Sequence, residues 1–231
     1  MDFFDRYPEF VAEGGTGVRG KRLQYRYQAI IDNQRNLFAN ARVLDLTSHD
    51  GRWSLAVLDA GADYVLGVEA RPHLAEKSRG ILARYGFDDK RYEVAVGDCL
   101  DYTEDLQPGR FDVVLCLGFF YHTMQHFRLL SQIRRLNPKI LILDSVLSTE
   151  ARPGIFLQFE DSDRDGSSIR TAPGKREALV GLPSVPGLGM MLENLGFIGE
   201  FLDWEHLDLP DWDGVEDYRD GKRFTVLIRP V

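Results

Sequence analysis

Arg42-Val43-Leu44-Asp45-Leu46 runs directly into Thr47-Ser48-His49-Asp50-Gly51, and Tyr64-Val65-Leu66-Gly67-Val68-Glu69 follows. The first five residues read as a buried strand. A helix over residues 53–60 begins just beyond Gly51 and stops at Gly61. The second apolar stretch is another strand, ending on an acid eighteen residues after Gly51. Strand, glycine turn, helix and strand in that order open a doubly wound α/β sheet. Such sheets bind ligands beyond the carboxyl ends of their strands, where the strand order reverses.

The alternation continues downstream. Pro72 opens a helix over residues 72–85, and strands are predicted at 92–96, 111–117 and 139–143, with a helix at 125–136 between the last two. Near-continuous apolar runs such as Phe111-Asp112-Val113-Val114-Leu115-Cys116-Leu117 suit parallel strands covered by helices on both faces. Residues 148–183 carry Gly, Pro, Asp and Ser with little periodicity, and a segment of that length is expected to be a lid or substrate insertion. Ser184 caps a helix running to 195, and residues 197–204 and 224–229 close the chain as an antiparallel hairpin. Upstream, residues 1–40 form an N-terminal helical arm, with Gly14-Gly15-Thr16-Gly17 as a hinge and a basic helix at 21–38. The expectation is one α/β domain over 1–231, a Rossmann-like, seven-stranded, mostly parallel sheet.

The totals fit that expectation: 231 residues are enough for one large core, with 44% hydrophobic and 28% charged. A net charge of −8 disfavours a broad nucleic-acid footprint, although the basic N-terminal helix offers a local one. The nine acids between Glu200 and Asp220 read as a solvated face. Cys99 and Cys116 sit at strand ends and read as buried free thiols. No Cys/His cluster has zinc spacing, so no metal is expected. The N-terminus lacks a signal pattern and no run reaches the ~20 apolar residues of a membrane helix, so a cytoplasmic protein without a membrane partner is expected.

Glu69 stands where an acid accepts hydrogen bonds from both hydroxyls of a ribose. A dinucleotide loop wants three glycines to bring its backbone against a pyrophosphate. Here those positions are Thr47, His49 and Gly51, and Asp45 and Asp50 add negative charge. S-adenosylmethionine (SAM) has no phosphate and carries a cationic sulfonium, so this loop favours SAM over NAD.

Three further motifs follow in order: Gly67-Val68-Glu69, Val96-Gly97-Asp98-Cys99, and Phe111 through Leu117-Gly118. Together with the first loop they resemble the Rossmann-like (class I) SAM-dependent methyltransferase superfamily, over about residues 42–197. The resemblance implies SAM as cofactor and names Asp45, Thr47, His49, Gly51, Glu69, Asp98, Cys99, Leu117 and Gly118 as its contacts. It implies that the Asp98 carboxylate meets the adenine amino group and the Cys99 N–H approaches the ring. Each of these residues also has a plainer reading. Asp45 would organise the loop backbone, Asp98 would form a turn, and Asp50 would cap the following helix. Gly118-Phe119-Phe120-Tyr121-His122, Asp144 and Leu182-Pro183-Ser184 look like the wobble-uridine carboxymethyltransferase group, from which only fold and cofactor are carried over.

On the acceptor side, His122 follows the fourth strand, where it is either a general base or a strut for the next helix. Asp144 would orient His122, or bind a hydroxyl or a metal. Asp161-x-Asp163-x-Asp165-Gly166 opens like a calcium loop but has Ala172 at its twelfth position, so an Asp-rich turn in the lid is expected. Arg152, Arg164 and Arg170 would meet an anionic substrate group or simply lie at the surface. The preferred function is methyl transfer from SAM to a small-molecule O or N acceptor, with a hydroxyl favoured. An RNA- or tRNA-modifying methyltransferase, a non-catalytic SAM-binding protein and, more distantly, an NAD oxidoreductase stand as alternatives, and a homodimer is left open.

Overall fold

The computed structural model describes residues 2–12, 20–169 and 173–231. The expected glycine hinge at 14–17, Arg170 and Ala172 fall outside them. Nine strands are described: β1 (Arg42–Leu46), β2 (Tyr64–Glu69), β3 (Tyr92–Val96), β4 (Val113–Leu117), β5 (Ile140–Val146), β6 (Ile155–Asp161), β7 (Glu177–Pro183), β8 (Phe197–Phe201) and β9 (Arg223–Pro230). Seven form one sheet in the order β3-β2-β1-β4-β5-β9-β8, parallel from β3 to β5 and antiparallel at β5-β9 and β9-β8. This is the seven-stranded, mostly parallel sheet with an antiparallel C-terminal hairpin that the alternation predicts.

The helices are α1 (Glu9–Ala12), α2 (Gly20–Tyr27), α3 (Arg52–Asp59), α4 (Pro72–Arg84), α5 (Cys99–Glu104), α6 (His126–Leu136), α7 (Val185–Asn194) and α8 (Glu216–Arg219). Alternation along the strands divides the core in two. Val43, Val65, Val113, Leu115 and Ile142 pack with Trp53 and Leu55 of α3, Ile81 and Leu82 of α4, and Phe3, Phe4 and Tyr27 of the arm. Leu44, Leu66, Val114, Cys116 and Leu141 pack with Leu100 of α5, Leu129 and Ile133 of α6, and Leu188 of α7. Fully burying one such aliphatic side chain contributes about 1.5–3 kcal/mol, so both faces of the sheet are strongly specified.

Three expectations are corrected. The single helix expected over 21–38 is α2 followed by a five-residue π turn at Gln28–Asp32 and a 3-10 turn at Arg35–Leu37. Ala29, Ile30 and Ile31, within the π turn, are all buried. The aperiodic segment 148–183 contains β6 and β7, an antiparallel pair outside the main sheet. Its pattern is obscured because β6 is exposed on both flanks. The acids between Glu200 and Asp220 are mostly exposed, as a solvated face would be, but the expectation is corrected in that several also take donors from within the chain. Asp211 receives Lys21 and Tyr25, Asp217 receives Arg22 in a bidentate pair, and the Asp208 carbonyl accepts from Gln28. They clamp α2 onto the body. Ser184 caps α7 as expected, accepting from the Gly187 N–H at 3.2 Å. No helix of the described residues is long and apolar enough to cross a membrane.

Candidate functional site

A cavity of about 590 Å³ opens beyond the carboxyl ends of β1, β2 and β4, beside the point where the sheet order turns from β1 to β4. That volume is in the range of small-ligand sites. Thr47, His49, Glu69, Asp98, Cys99, Leu117, Gly118 and His122 all line it. Asp45, Gly51 and Asp144, also singled out from the sequence, do not.

The loop after β1 keeps a glycine-like backbone without the glycines. Thr47 and His49 have φ of 58° and 53°, and Gly51 has φ of 83° at the head of α3. A non-glycine residue in this left-handed region costs on the order of 1–2 kcal/mol, so two such residues in one turn require fixed partners. Glu69 supplies one: its buried carboxylate accepts from the His49 N–H at 2.9 Å and from the Arg71 N–H at 2.8 Å. Gly67 supplies room, because a Cβ there would lie 2.8 Å from Ser48 Oγ. The expectation that Asp50 caps α3 is corrected. Gly51 holds the cap position, and Asp50 makes a bidentate pair with Arg52 at 2.7 and 2.6 Å. Burial opposes ionisation of Asp50, yet His49 and Arg52 beside it hold its carboxyl well below the usual range. The His49 Nδ1 lies 3.5 Å from Asp50, too far for good hydrogen-bond geometry, and neither ring nitrogen has a hydrogen-bond partner.

Asp45 lies beneath this loop, fully buried, accepting from the Ser54 hydroxyl at 2.6 Å. Burial pushes its carboxyl up to about 7, helped by the charge of Glu69. Its position matches the plainer reading of a loop organiser. Asp98 caps α5, accepting from the Leu100 N–H at 2.8 Å through one oxygen. It therefore serves as a turn-former while also lining the cavity. Burial pushes the Cys99 thiol up, and both cysteines are free and buried.

His122 also lines the cavity, and its Nδ1 donates to Glu160 Oε2 at 2.6 Å. Both side chains are largely shielded, at 12% and 15% exposed, so the bond is poorly screened. Glu160 also accepts from the Ser168 N–H. This arrangement leaves Nε2 as the ring's proton acceptor. Sequence reasoning missed Glu160 because it lies in β6, 38 residues away, with no local pattern to mark it.

Asp144 is corrected in turn. It is fully buried, and its two oxygens accept from Arg26 (2.9 Å), Arg223 (2.7 Å), Tyr218 (2.7 Å) and Thr225 (2.8 Å). Burial opposes its charge, but Arg223 and Arg26 hold the carboxyl well below the usual range. No acceptor site remains on it for His122, a hydroxyl or a metal. Instead it ties α2 to β5 and β9 and sets Arg26 and Arg223 into the cavity wall, where Arg26 lies over Trp53 and Arg223 over Tyr121.

The β6–β7 hairpin roofs the cavity. Arg71 donates to the carbonyls of Arg164 and Ser167, both at 2.9 Å, and His73 Nε2 meets Asp165 at 3.1 Å. Residues 165–169 thereby line the cavity above Glu69. The acids of the calcium-like turn are taken up by these contacts and by Arg176, which pairs with Asp161 and Asp163. Arg152 and Arg164 do not line the cavity.

Residues 43–138 match a family model described as a methyltransferase domain. The tRNA U34 carboxymethyltransferase of Trichlorobacter lovleyi is 26% identical over 186 residues, or 76% of this chain. The chain spans 50% of that relative's length. Among solved structures, the N-terminal domain of EvdMO1 with S-adenosylhomocysteine (SAH) bound is similar with a TM-score of 0.64 at 20% identity, over 95% of this chain and 85% of that one. The Burkholderia thailandensis 1,6-didemethyltoxoflavin-N1-methyltransferase, with its substrate and SAH, gives a TM-score of 0.59 at 15% identity, over 97% and 85%. At these identities the two structures establish the fold.

Proposed function

We propose that this chain, a member of the Rossmann-like SAM-dependent methyltransferase superfamily, is an enzyme that transfers a methyl group from SAM to a small-molecule O or N acceptor. The observation that carries the reading is one cavity lined both by Glu69, Asp98 and the Thr47–His49 turn and by His122, whose ring Glu160 orients.

The residues present fit the cofactor. Thr47, His49, Glu69 and Asp98 line the cavity together, beyond the ends of β1, β2 and β3. Glu69 has already oriented its oxygens on two backbone donors, so its remaining lone pairs suit ribose hydroxyls. With Thr47 and His49 in place of glycines, the loop lacks the glycine backbone that a pyrophosphate site wants. The left-handed path at Thr47 and His49 gives the loop a glycine-like shape without the glycines, which supports cofactor binding. When bound, SAM supplies a methyl carbon made electrophilic by the adjoining sulfonium.

The chain's own part is to position, to exclude water and to take a proton. The hairpin roof and the Arg26–Trp53 pair wall the cavity on two sides, which limits the water around a bound acceptor. Glu160 holds the His122 ring with Nδ1 protonated, and Nε2 receives the proton of an attacking hydroxyl or amine. Glu160 then stabilises the imidazolium that results. A small acceptor is favoured because, among the described residues, basic side chains of the arm are engaged within the chain: Arg22 with Asp217, Arg26 with Asp144, and Arg35 with Asp32 and Asp59.

The 26% identity to a tRNA-modifying relative favours a second reading, transfer to RNA. Calorimetry with SAH, NAD and bulk tRNA separates the possibilities. The expected result is SAH binding, much weaker NAD binding and no tRNA binding at physiological salt. NAD binding as tight as that of SAH defeats the cofactor assignment. Salt-dependent tRNA binding transfers the acceptor assignment to RNA.

A further inference from the structure

The turn that leaves β6 carries no apolar side chain from Ser162 through Ser168, a stretch reading Ser-Asp-Arg-Asp-Gly-Ser-Ser. Apolar burial therefore contributes little to holding it, and its place over the cavity depends on polar contacts. Arg71 makes several of them from the body of the sheet. Its Nη2 donates to the carbonyls of Arg164 and Ser167, both at 2.9 Å, and its Nε lies 3.7 Å from Asp165. The Arg71 side chain is only 17% exposed, so these contacts are weakly screened.

Arg71 also joins two parts of the cavity lining. Its backbone N–H donates at 2.8 Å to Oε1 of Glu69, the last residue of β2. Across the turn, the Ser168 N–H donates at 3.2 Å to Glu160 Oε2, the same oxygen that receives His122 Nδ1 at 2.6 Å. A glutamate side chain has several rotors to fix, and an N–H on that oxygen helps to set how the carboxylate faces the ring. The contacts thus run without a gap from Glu69 through Arg71 and the turn to Glu160 and His122.

We propose that Arg71 is a positioning residue that makes the orientation of His122 depend on the occupancy of Glu69. The inference rests on the proposed reading of Glu69 as the ribose acceptor and His122 as the base. A nucleoside whose hydroxyls bind Glu69 orders the backbone from Glu69 to Arg71 and steadies the guanidinium against the two carbonyls. The turn then keeps its Ser168 N–H on Glu160, and Glu160 keeps the ring proton on Nδ1, with Nε2 free to accept. Without the nucleoside the turn opens more often, Glu160 loses the N–H that aims it, and the imidazole is free to change tautomer. Both the nucleoside and the base act on one element, the turn, which is what coupling between two positions requires. The base is thus assembled on a site that already holds SAM, and the acceptor is expected to bind second.

Proton–nitrogen NMR of the full chain labelled at histidine tests this through the exchange of the His122 Nδ1 proton with water. The signal is assigned by its loss in His122→Gln. In the wild type, saturating SAH should slow that exchange at least about fivefold, the lower range for coupled sites. Arg71→Gln retains the backbone N–H that Glu69 accepts, so it should still bind SAH. In the free variant the Nδ1 proton should exchange at least about fivefold faster than in free wild type, and SAH should leave the rate unchanged. Arg71→Lys restores a cation without the fork and should recover part of the response to SAH. These substitutions leave both apolar cores untouched, so the variants should fold, and circular dichroism checks that they do.

Wild-type exchange indifferent to bound SAH overturns the proposal. So does an Arg71→Gln variant whose turn amides lose protection while His122 keeps its wild-type exchange and its response to SAH, since Arg71 would then fasten the turn alone. Absence of SAH binding defeats the cofactor assignment instead, and the comparison of the free wild type with free Arg71→Gln still decides the link from Arg71 to His122.

Discussion

Replacing Glu69 with alanine should weaken two things at once, and the ratio between them tests the site. In the free protein Glu69 accepts two backbone N–H bonds, at 2.9 and 2.8 Å, that hold the turn containing the left-handed His49. Bonds to a charged acceptor each contribute about 1.5–3 kcal/mol, but water entering the space left by the side chain recovers part of this. A net loss of about 2 kcal/mol is expected, which for a domain of this size lowers the Tm by about 4–8 °C. In the complex the alanine variant also strands two ribose hydroxyls, a further ~1–3 kcal/mol, or roughly 5- to 150-fold in SAH affinity. Glu69→Gln keeps one carbonyl oxygen and should fall between wild type and alanine on both measures. Differential scanning calorimetry of the free variants and titration calorimetry with SAH read the two effects separately. If Glu69→Ala lowers the Tm yet binds SAH with wild-type affinity, Glu69 only braces the loop and the nucleoside lies elsewhere. If affinity falls with no change in Tm, the stabilising role of the two backbone bonds is mistaken.

With an identified acceptor, His122→Ala should cost about 10²–10⁴ in kcat, the usual range for a positioned base, with SAH affinity unchanged. Glu160→Gln should cost less, about 10- to 100-fold, since only the charge on the oriented partner is lost; parallel losses of SAH affinity and Tm in His122→Ala would make the imidazole a strut. Asp45, whose buried carboxyl is pushed up to about 7, is neutral when folded and ionised when unfolded over the intervening range. Its contribution is therefore fully present below about pH 4 and is lost as pH rises through 7, so Asp45→Asn should flatten the stability–pH curve of the free protein between those limits. An identical slope in the variant would show that Asp45 does not carry that proton. Hydrogen exchange should show the amides of 155–169 better protected with SAH bound than without, because the roof contacts Arg71 beside Glu69; equal strong protection in both states would rule out a moving cover.

The parts legible in the sequence were those whose meaning is local. β1, β2 and β4 are buried on both faces, so their apolar runs announce them, and Glu69 stands at a strand end whose distance from Gly51 is itself informative. α5 escaped because six residues, Cys99–Glu104, are too few to display a helical period. β6 escaped because its apolar residues do not alternate with polar ones, having no face turned inward along most of its length. Asp144, expected at the end of the fifth strand, lies inside β5, and its four donors come from α2, β9 and α8. Nothing within a few residues of Asp144 signals that its oxygens are already occupied. The same holds for the acids near 211–217, which read as solvated until the basic helix almost two hundred residues earlier is laid against them.

The place of β9 between β5 and β8 bears on how the chain comes to be folded during synthesis. Residues up to 222 contain every other strand, yet they leave β5 as a raw parallel edge and β8 detached from the sheet. They also leave Asp144 without Arg223 and Thr225, two of the four donors that make its charge tolerable. A nascent chain therefore has an acid at its centre that cannot be buried until Arg223–Pro230 has been made and threaded between two strands already waiting. Because α2 is fastened to the same acid, a helix made near the start of synthesis is among the last to be locked down. Contacts spanning 118 and 79 residues must close together, a slow step by the ordinary relation between sequence separation and folding rate. Such a chain dwells with its ligand cavity half built, and a cofactor that prefers the finished cavity would act on it as a folding aid.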